Sequence, residues 1–169
     1  LEEIPIRDMI AQRSENWLPD LTLSCETELI HESKAIEFSR SFLLFCLHEA
    51  ILKYGQDLKN KQWIIEPLAN MVISLAIMDT GFKRYMQIEA GEHKENTWDI
   101  LQLSIVDQFE ECHNNGMDIV NAIFTDKKLI EKSELVNEWH AKTNYISKRI
   151  ESQKRIANTL YEHKKYYLD

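Results

Sequence analysis

Glycine, proline and cysteine are all scarce in this chain of 169 residues, which contains four, three and three of them. Because tight turns depend on glycine and proline, their scarcity argues against a β-sandwich or a β-barrel. The three cysteines, Cys25, Cys46 and Cys112, are odd in number and form no Cys-x-x-Cys pair. That pattern is typical of buried free thiols in a reducing compartment. The sequence also lacks a Gly-x-Ser-x-Gly motif and a glycine-rich phosphate loop, so no motif predicts a catalytic residue.

Acidic residues outnumber basic residues, 28 to 20, and the net charge is −8. Phosphate binding needs a basic face, so nucleic acid is not predicted as a partner. From His140 onward, however, seven Lys and Arg residues face only three Asp and Glu residues. This basic end is either a surface for a membrane or an acidic partner, or a solvated last helix whose cations suit its dipole, the commoner arrangement. The basic surface consists of Lys148, Arg149, Lys154 and Arg155.

The spacing of apolar residues predicts an all-α fold. Residues 1–25 are expected to form a partly ordered leader, as a short helix or an extended segment. Apolar positions spaced three and four apart then predict four helices, at about residues 26–54, 59–89, 94–124 and 128–162. Short connections place neighbouring helices antiparallel. Residues 26–169 are therefore predicted to form one up-down-up-down four-helix bundle.

Three local features qualify these helices. Gly55 suits the residue that ends the first helix. Pro67 predicts either a kink in the second helix or a late start near Glu66, because proline removes one backbone hydrogen bond. In the third helix, the sequence from Asn114 to Gly116 consists of poor helix formers, so we expect a bend or a break there.

Residues 62–85 are the most apolar stretch of the chain. Polar residues interrupt it too often for a membrane span, and a helix that is apolar on most sides is normally surrounded by other helices. Asp79 is the exception in this stretch, and we expect it to pair with Arg84 or with a cation from a neighbouring helix. A functional buried acid is the less favoured interpretation.

Two Glu-x-x-His pairs raise the hypothesis of a ferritin-like metal-binding bundle. Such bundles use two pairs of this kind together with one glutamate from each of two other helices. A chain with 28 acidic residues and six histidines contains such pairs by chance, so this interpretation stays an alternative. The residues concerned are Glu28, His31, Glu66, Glu110, His113 and Glu138.

Residues 54–63, read as YGQDLKNKQW, lead into residues 68–78, read as LANMVISLAIM. Together with the basic residues Lys83 and Arg84, they resemble the C-terminal helical domain of acyl-CoA dehydrogenases of the very-long-chain type. The order of four helices agrees with that domain. Pro67 and Gly81 depart from the pattern, because the family usually has a basic residue and a larger apolar residue at those places.

The resemblance implies a role rather than a reaction. The family carries out FAD-dependent α,β-dehydrogenation of acyl-CoA in fatty acid β-oxidation, and its catalytic glutamate and flavin-contacting Glu-Gly-Thr segment precede this domain. No Glu-Gly-Thr occurs in this chain. We therefore predict no catalytic, cofactor-binding or metal residue in it, and expect FAD in a parent enzyme. The bacterial cytoplasm or the mitochondrial matrix is the expected location.

The implied role is packing against the dehydrogenase core, support of a second subunit, or docking to a membrane surface or partner protein. A free-standing helical interaction module remains an alternative. The chain begins at Leu1 without a methionine, which suggests an excised part of a longer protein. The residues that we expect to serve packing or docking are Trp63, Leu68, Met71, Leu75, Met78 and Phe82.

Overall fold

The computed structural model describes residues 29–88 and 92–163, and within them the chain is entirely helical or in short connections. The predicted leader, Cys25, Glu28 and residues 164–169 lie outside the described residues. Within these described residues, five α-helices and one 3-10 helix follow one another. They are α1 (Ile30–Tyr54), the 3-10 helix (Gly55–Asn60), α2 (Gln62–Met86), α3 (Glu92–Ile123), α4 (Asp126–Lys142) and α5 (Arg149–His163).

Helices α1 and α3 lie side by side and run in the same direction. Gln102 near the start of α3 hydrogen-bonds Glu32 near the start of α1, and Lys53 at the end of α1 bonds the carbonyl oxygen of Ile123 at the end of α3. Both pairs are separated by 70 residues in sequence, so the register is constant along the two helices. The connection through α2 is what allows α1 and α3 to be parallel.

Helix α2 runs antiparallel to its two neighbours. Asn70, in its first half, hydrogen-bonds Asn115 in the second half of α3, whereas Tyr85 at its end packs against Trp98 near the start of α3. Within the described residues, α2 contacts only α1, the 3-10 helix and α3. One side of α2 is therefore not covered by any helix in the described part of the chain.

Helices α4 and α5 together return along the length of α3. His140 at the end of α4 stacks on Phe109 in the middle of α3, with ring centroids 5.1 Å apart. Arg155 on α5 then pairs with Asp99 near the start of α3. The all-α, up-down-up-down arrangement is thus confirmed, but its fourth leg consists of two helices.

The break in the fourth leg overturns the prediction of one helix over residues 128–162. The Thr143 hydroxyl donates to the carbonyl oxygen of His140 (2.7 Å) and accepts from the backbone N–H of Tyr145 (3.1 Å), so it caps the end of α4. Asn144 follows with φ of 49°, in the left-handed region that asparagine tolerates better than most residues. Local side-chain bonds of this kind compete with the helical ladder.

The predicted break of the third helix between Asn114 and Gly116 is also wrong, because α3 is continuous there, and the alternative of a bend stays a prediction. A Cβ built on Gly116 would lie only 2.2 Å from Cε1 of Phe42, whose side chain is fully buried. The glycine is needed for the close approach of α1 and α3, and packing outweighs the roughly 1 kcal/mol that glycine costs inside a helix.

Two other local predictions have simpler outcomes. The first helix ends at Tyr54, and Gly55 follows it with φ of 53°, as expected for a residue that ends a helix. The second helix begins at Gln62, so the predicted late start near Glu66 is wrong, and Pro67 lies in its second turn. The helix is continuous through this proline, whose side chain is buried.

Phenylalanines of α1 form the centre of the core. Phe38, Phe42 and Phe45 are at most 2% exposed, and their rings pack against one another. Phe109 of α3 and Trp139 of α4 contact this group edge-on, at centroid distances of 5.5 and 5.7 Å. Aromatic contacts across three helices therefore fix α1, α3 and α4 together.

Candidate functional site

The six residues predicted for packing or docking do not share one environment. Leu68, Met71 and Met78 are at most 8% exposed and belong to the core, and Leu75 and Phe82 pack against it while partly exposed. Trp63 is 60% exposed, and Lys61 lies over its ring at 5.5 Å. Five of the six therefore serve internal packing, which leaves docking to other residues of α2.

The opposite side of α2 is apolar and open. Val72, Ile73 and Ile77 are 52%, 56% and 41% exposed, and Ala69 and Ala76 are exposed between them. With 3.6 residues per turn, these five positions form one stripe along two turns of the helix. We call this stripe the outer α2 face.

The sequence contained a signal for the outer α2 face, but the interpretation was wrong. A helix that is apolar on most sides was expected to be surrounded, whereas α1 and α3 cover only one side of α2. Contiguous exposed apolar side chains of this kind mark interaction sites more often than isolated ones do. The ends of the stripe are polar, because Glu66 lies exposed before it and Lys83 and Arg84 lie exposed after it.

By length and composition, α2 also resembles a membrane-spanning helix. Within the described residues, Gln62–Met86 is the one helix that is long and apolar enough to cross a bilayer, with a mean hydropathy of 1.3 over its most apolar window. Only 28% of that window is buried. The prediction that polar residues interrupt this stretch too often for a membrane span is therefore wrong by length and composition. In this fold, α2 packs one side against α1 and α3.

Asp79 forms ion pairs, as was predicted. Its carboxylate pairs with Lys83 one turn along the helix (2.5 Å) and with Arg40 of α1 (3.5 Å). The neighbouring-helix cation is thus Arg40, and among the described residues Asp79 forms its ion pairs with Arg40 and Lys83 rather than with Arg84. The pairs fix one edge of α2 against α1 beside the outer α2 face.

The predicted basic surface divides into two arginines that are used internally and two exposed lysines. Arg149 pairs with Asp107 (2.5 Å) and Glu110 (2.9 Å), and Arg155 makes hydrogen bonds to Asp99 through Nε at 2.7 and 2.9 Å. These ion pairs attach α5 to α3. The remaining members of the predicted surface, Lys148 and Lys154, are exposed.

The residues of the metal hypothesis are not brought together in the part of the chain that the structure describes. Glu110 is 54% exposed and pairs with Arg149, whereas His113, one turn along, packs among aromatic rings. Glu66 and Glu138 are exposed. No group of three or more metal-ligating side chains occurs among the described residues.

His113 forms an aromatic pair with His140 of α4, with ring centroids 4.7 Å apart. Burial lowers the pKa of both imidazoles below the ordinary 6.5, and the charge of His140 lowers the pKa of His113 further. Nε2 of His113 is buried and has no hydrogen-bond partner among the described residues. The pair is therefore suited to packing as neutral rings rather than to acid–base chemistry at neutral pH.

The two described cysteines are buried in the core, as was predicted for Cys46. Burial raises the pKa of Cys112 to about 11 and raises that of Cys46 well above its ordinary value. The Cys46 thiol donates to the carbonyl oxygen of Gly116 at 3.7 Å. Because the thiolate is the reactive form, neither side chain is a nucleophile at neutral pH.

A cleft of about 640 Å³ opens where the α4–α5 connection crosses the first halves of α1 and α3. Its most unusual wall residue is Glu32, which is 4% exposed although it is charged by type. Sequence reasoning passed over this residue. The signal was its position three residues after Leu29 and four before Ile36, which places a glutamate on the buried face of α1.

Comparisons with known proteins agree with this fold. No protein-family model matches the chain, and no curated protein matches it either. Among solved structures, an FAD-complexed acyl-CoA dehydrogenase from Bacillus anthracis matches with a TM-score of 0.78 and 16% sequence identity. The match covers 92% of this chain and 27% of that protein, so this chain spans about a quarter of its length. At this identity the likeness shows a shared fold with part of an acyl-CoA dehydrogenase.

Proposed function

We propose that this chain is a non-catalytic helical domain of an acyl-CoA dehydrogenase-like flavoprotein, and that the outer α2 face packs against the dehydrogenase core. The observation that carries the proposal is the open apolar stripe of Ala69, Val72, Ile73, Ala76 and Ile77. The shared fold supports the same assignment, because the matched enzyme has this helical arrangement together with a much larger remainder. We assign the corresponding larger part of the parent protein as the partner of the outer α2 face.

The finer features of the proposal follow from the sequence resemblance. The parent protein would be of the very-long-chain type, act in fatty acid β-oxidation in the bacterial cytoplasm or the mitochondrial matrix, and hold its FAD and catalytic glutamate outside this chain. Support of a second subunit belongs to the same proposal. The described residues contribute helical packing, buried thiols without nucleophilic character and ion pairs that attach α5 to α3.

The chemistry of the outer α2 face favours a protein partner over a lipid surface. The stripe is narrow, and the Asp79 carboxylate with its partners Arg40 and Lys83 lies at one edge. Burying aliphatic side chains is worth about 1.5–3 kcal/mol for each complete Val or Ile side chain, so three half-exposed ones can anchor an interface. A partner with an apolar centre and a polar rim would match this pattern.

The proposal is tested in the natural gene product, purified under native conditions through a tag at the end of its reading frame. We compare the wild type with the double variant Ile73→Glu, Ile77→Glu. The control is Ile130→Glu, Ile150→Glu, which makes the same change at two more exposed isoleucines, 61% and 67% exposed, on α4 and α5. The measurements are the flavin absorbance per tagged chain and the thermal midpoint of unfolding.

We expect flavin with the wild type and with the control. In the Ile73, Ile77 variant, two carboxylates would be buried without partners at the contact with the core. If the core is a separate subunit, the variant should purify without flavin. If the core is on the same polypeptide, the variant should have a lower thermal midpoint of unfolding than the wild type. A wild type without flavin, or an Ile73, Ile77 variant that behaves as the control does, would contradict the proposal. If the wild type carries no flavin and binds phosphatidylglycerol vesicles, and the Ile73, Ile77 variant does not bind them, the outer α2 face would be assigned to a membrane surface instead.

A further inference from the structure

A chain of polar side chains leads from α5 to the cleft beside Glu32. Arg155 is held by Asp99 and donates to the Ser152 hydroxyl (3.3 Å), which in turn donates to Oε1 of Gln102 (3.3 Å). The Gln102 amide then donates from Nε2 to Oε1 of Glu32 (3.3 Å). Because the Gln102 oxygen is already engaged by Ser152, its amide nitrogen is turned towards the carboxylate. The network therefore fixes the position of Glu32.

The network satisfies only one of the two Glu32 oxygens. Oε2 is buried and has no hydrogen-bond partner among the described residues. A buried carboxylate oxygen left in this way costs free energy unless a donor reaches it, so such atoms are rare in folded proteins. Glu32 lines the cleft, so the cleft is the side from which a donor would approach this carboxylate.

The walls of the cleft decide what kind of donor fits. Trp98 and Tyr145 supply aromatic rings, and Ile146 supplies an apolar side chain. A volume of about 640 Å³ lies within the usual range for small-molecule sites. The cleft depends on the break between α4 and α5, because two of its wall residues, Tyr145 and Ile146, belong to the connection rather than to a helix.

The charges around the cleft favour a cation. Tyr145 has a raised pKa because of burial first, and then because of the negative charges of Glu32 and Glu110. Arg155, the cation within the network, is already paired with Asp99. His31 and Lys148 also line the cleft at exposed positions, where water screens the charge of Lys148.

We propose that this cleft binds a small organic ammonium ion, with Glu32 as the counter-ion and the Trp98 and Tyr145 rings as its walls. A carboxylate beside aromatic rings is the arrangement that recognises such cations, because the ring face attracts positive charge and the apolar wall accepts the alkyl groups. A metal ion would need further carboxylate or imidazole ligands, and the described residues offer no such group.

The test uses the full 169-residue chain, with isopentylammonium, which carries three N–H donors, as the probe and isopentyl alcohol, which is similar in size but uncharged, as the comparison ligand. Binding is measured by calorimetry and by the shift of the Trp98 indole N–H signal in NMR spectra. The variant is Glu32→Gln, which keeps the shape and removes the charge. The matched control is Glu66→Gln, which makes the same change of net charge at an exposed position on α2.

Isopentylammonium should bind the wild type and the Glu66→Gln control with the same affinity and shift the Trp98 signal. Isopentyl alcohol should bind about tenfold more weakly or worse, and Glu32→Gln should lose affinity for isopentylammonium to the same degree. Equal binding of the ammonium ion and the alcohol, no shift of the Trp98 signal, or unchanged binding of isopentylammonium by a folded Glu32→Gln variant would overturn the proposal. This result is independent of whether the chain docks on a flavoprotein.

Discussion

Replacing Gly116 by alanine should destabilise the protein, although alanine is the better helix former. A Cβ at this position would lie 2.2 Å from Cε1 and 2.5 Å from Cζ of Phe42. The ring of Phe42 is fully buried and packs against Phe38, Phe45 and His113 at centroid distances of 5.5, 6.4 and 6.1 Å. With neighbours on these sides, the ring cannot move away without disturbing the centre of the core.

Two opposing contributions set the magnitude. Alanine is favoured over glycine inside a helix by about 0.8–1 kcal/mol, whereas overpacking a well-filled core costs about 1–3 kcal/mol and sometimes more. A contact of 2.2 Å with a buried ring belongs at the upper end of that range. We therefore expect Gly116→Ala to lower the free energy of unfolding by about 2 kcal/mol.

Gly81 provides the matched control on α2. A Cβ there would lie 3.3 Å from Cδ1 of Leu101, the end of a flexible side chain that can shift by a few tenths of an ångström. The helix preference for alanine should then prevail, and Gly81→Ala should raise the free energy of unfolding by up to about 1 kcal/mol. The same substitution thus has opposite signs at the two glycines.

The assay is urea unfolding followed by far-UV circular dichroism, with the slope of the transition used to check that the mechanism is unchanged. The double variant Gly116→Ala, Phe42→Leu completes the test, because a smaller side chain at position 42 should relieve the contact and make the two changes less costly together than the sum of each alone. A Gly116→Ala protein as stable as the wild type, or strict additivity in the double variant, would refute the reasoning.

Three further predictions concern pH and the α4–α5 region. The pKa values of His113 and His140 are lowered in the folded state, so near these pKa values the unfolded chain binds more protons than the folded protein. The free energy of unfolding should therefore keep its full value above the ordinary pKa of 6.5 and fall as the pH drops below it. Urea unfolding at about pH 7.5 and about pH 5 should show this loss, and the loss should be smaller in a His140→Gln variant. Asn144→Ala should lower the free energy of unfolding by about 1 kcal/mol relative to Asn144→Gly, because φ is 49° there. Charge reversal at the exposed pair Lys148 and Lys154 should leave the thermal midpoint unchanged while weakening adhesion to anionic vesicles or an acidic partner, and a lowered midpoint would show that these lysines hold the fold.

Apolar spacing was sufficient to predict the first three helices and the directions of all four legs, but not the break in the fourth leg. The end of α1 at Gly55 follows from local chemistry, and so does the parallel pairing of α1 and α3 once a helix lies between them. The break at Thr143 and Asn144 was also visible as two poor helix formers in succession, but the apolar stripe was read across it. Here a local signal should have outweighed periodicity.

The opposite error occurred at Gly116, where local propensity predicted a break that tertiary packing prevents. Whether a glycine interrupts a helix or allows a neighbour to approach depends on the residue opposite it, and Phe42 lies 74 residues earlier in the sequence. Likewise, periodicity identified the apolar character of α2 but could not tell which of its sides the other helices would cover. Val72, Ile73 and Ile77 therefore became visible only in the structure.

The unpaired oxygen of Glu32 depends on even finer detail. Its helical position predicts burial, yet the chain through Gln102, Ser152 and Arg155 requires the register of α5 on α3 to be known. A glutamate that is predicted to be buried could equally form a salt bridge or line an open cleft. The distinction comes from which donors reach the carboxylate, and sequence spacing carries no information on that.

The central claim is that this chain belongs with a flavin-containing dehydrogenase core. The most direct test is the visible absorption spectrum of the natural gene product, purified natively through a tag at the end of its reading frame and compared with residues 29–163 expressed alone. The account predicts flavin absorption bands in the native product and none in the helical domain. A native product that purifies as a folded helical protein without flavin would contradict it.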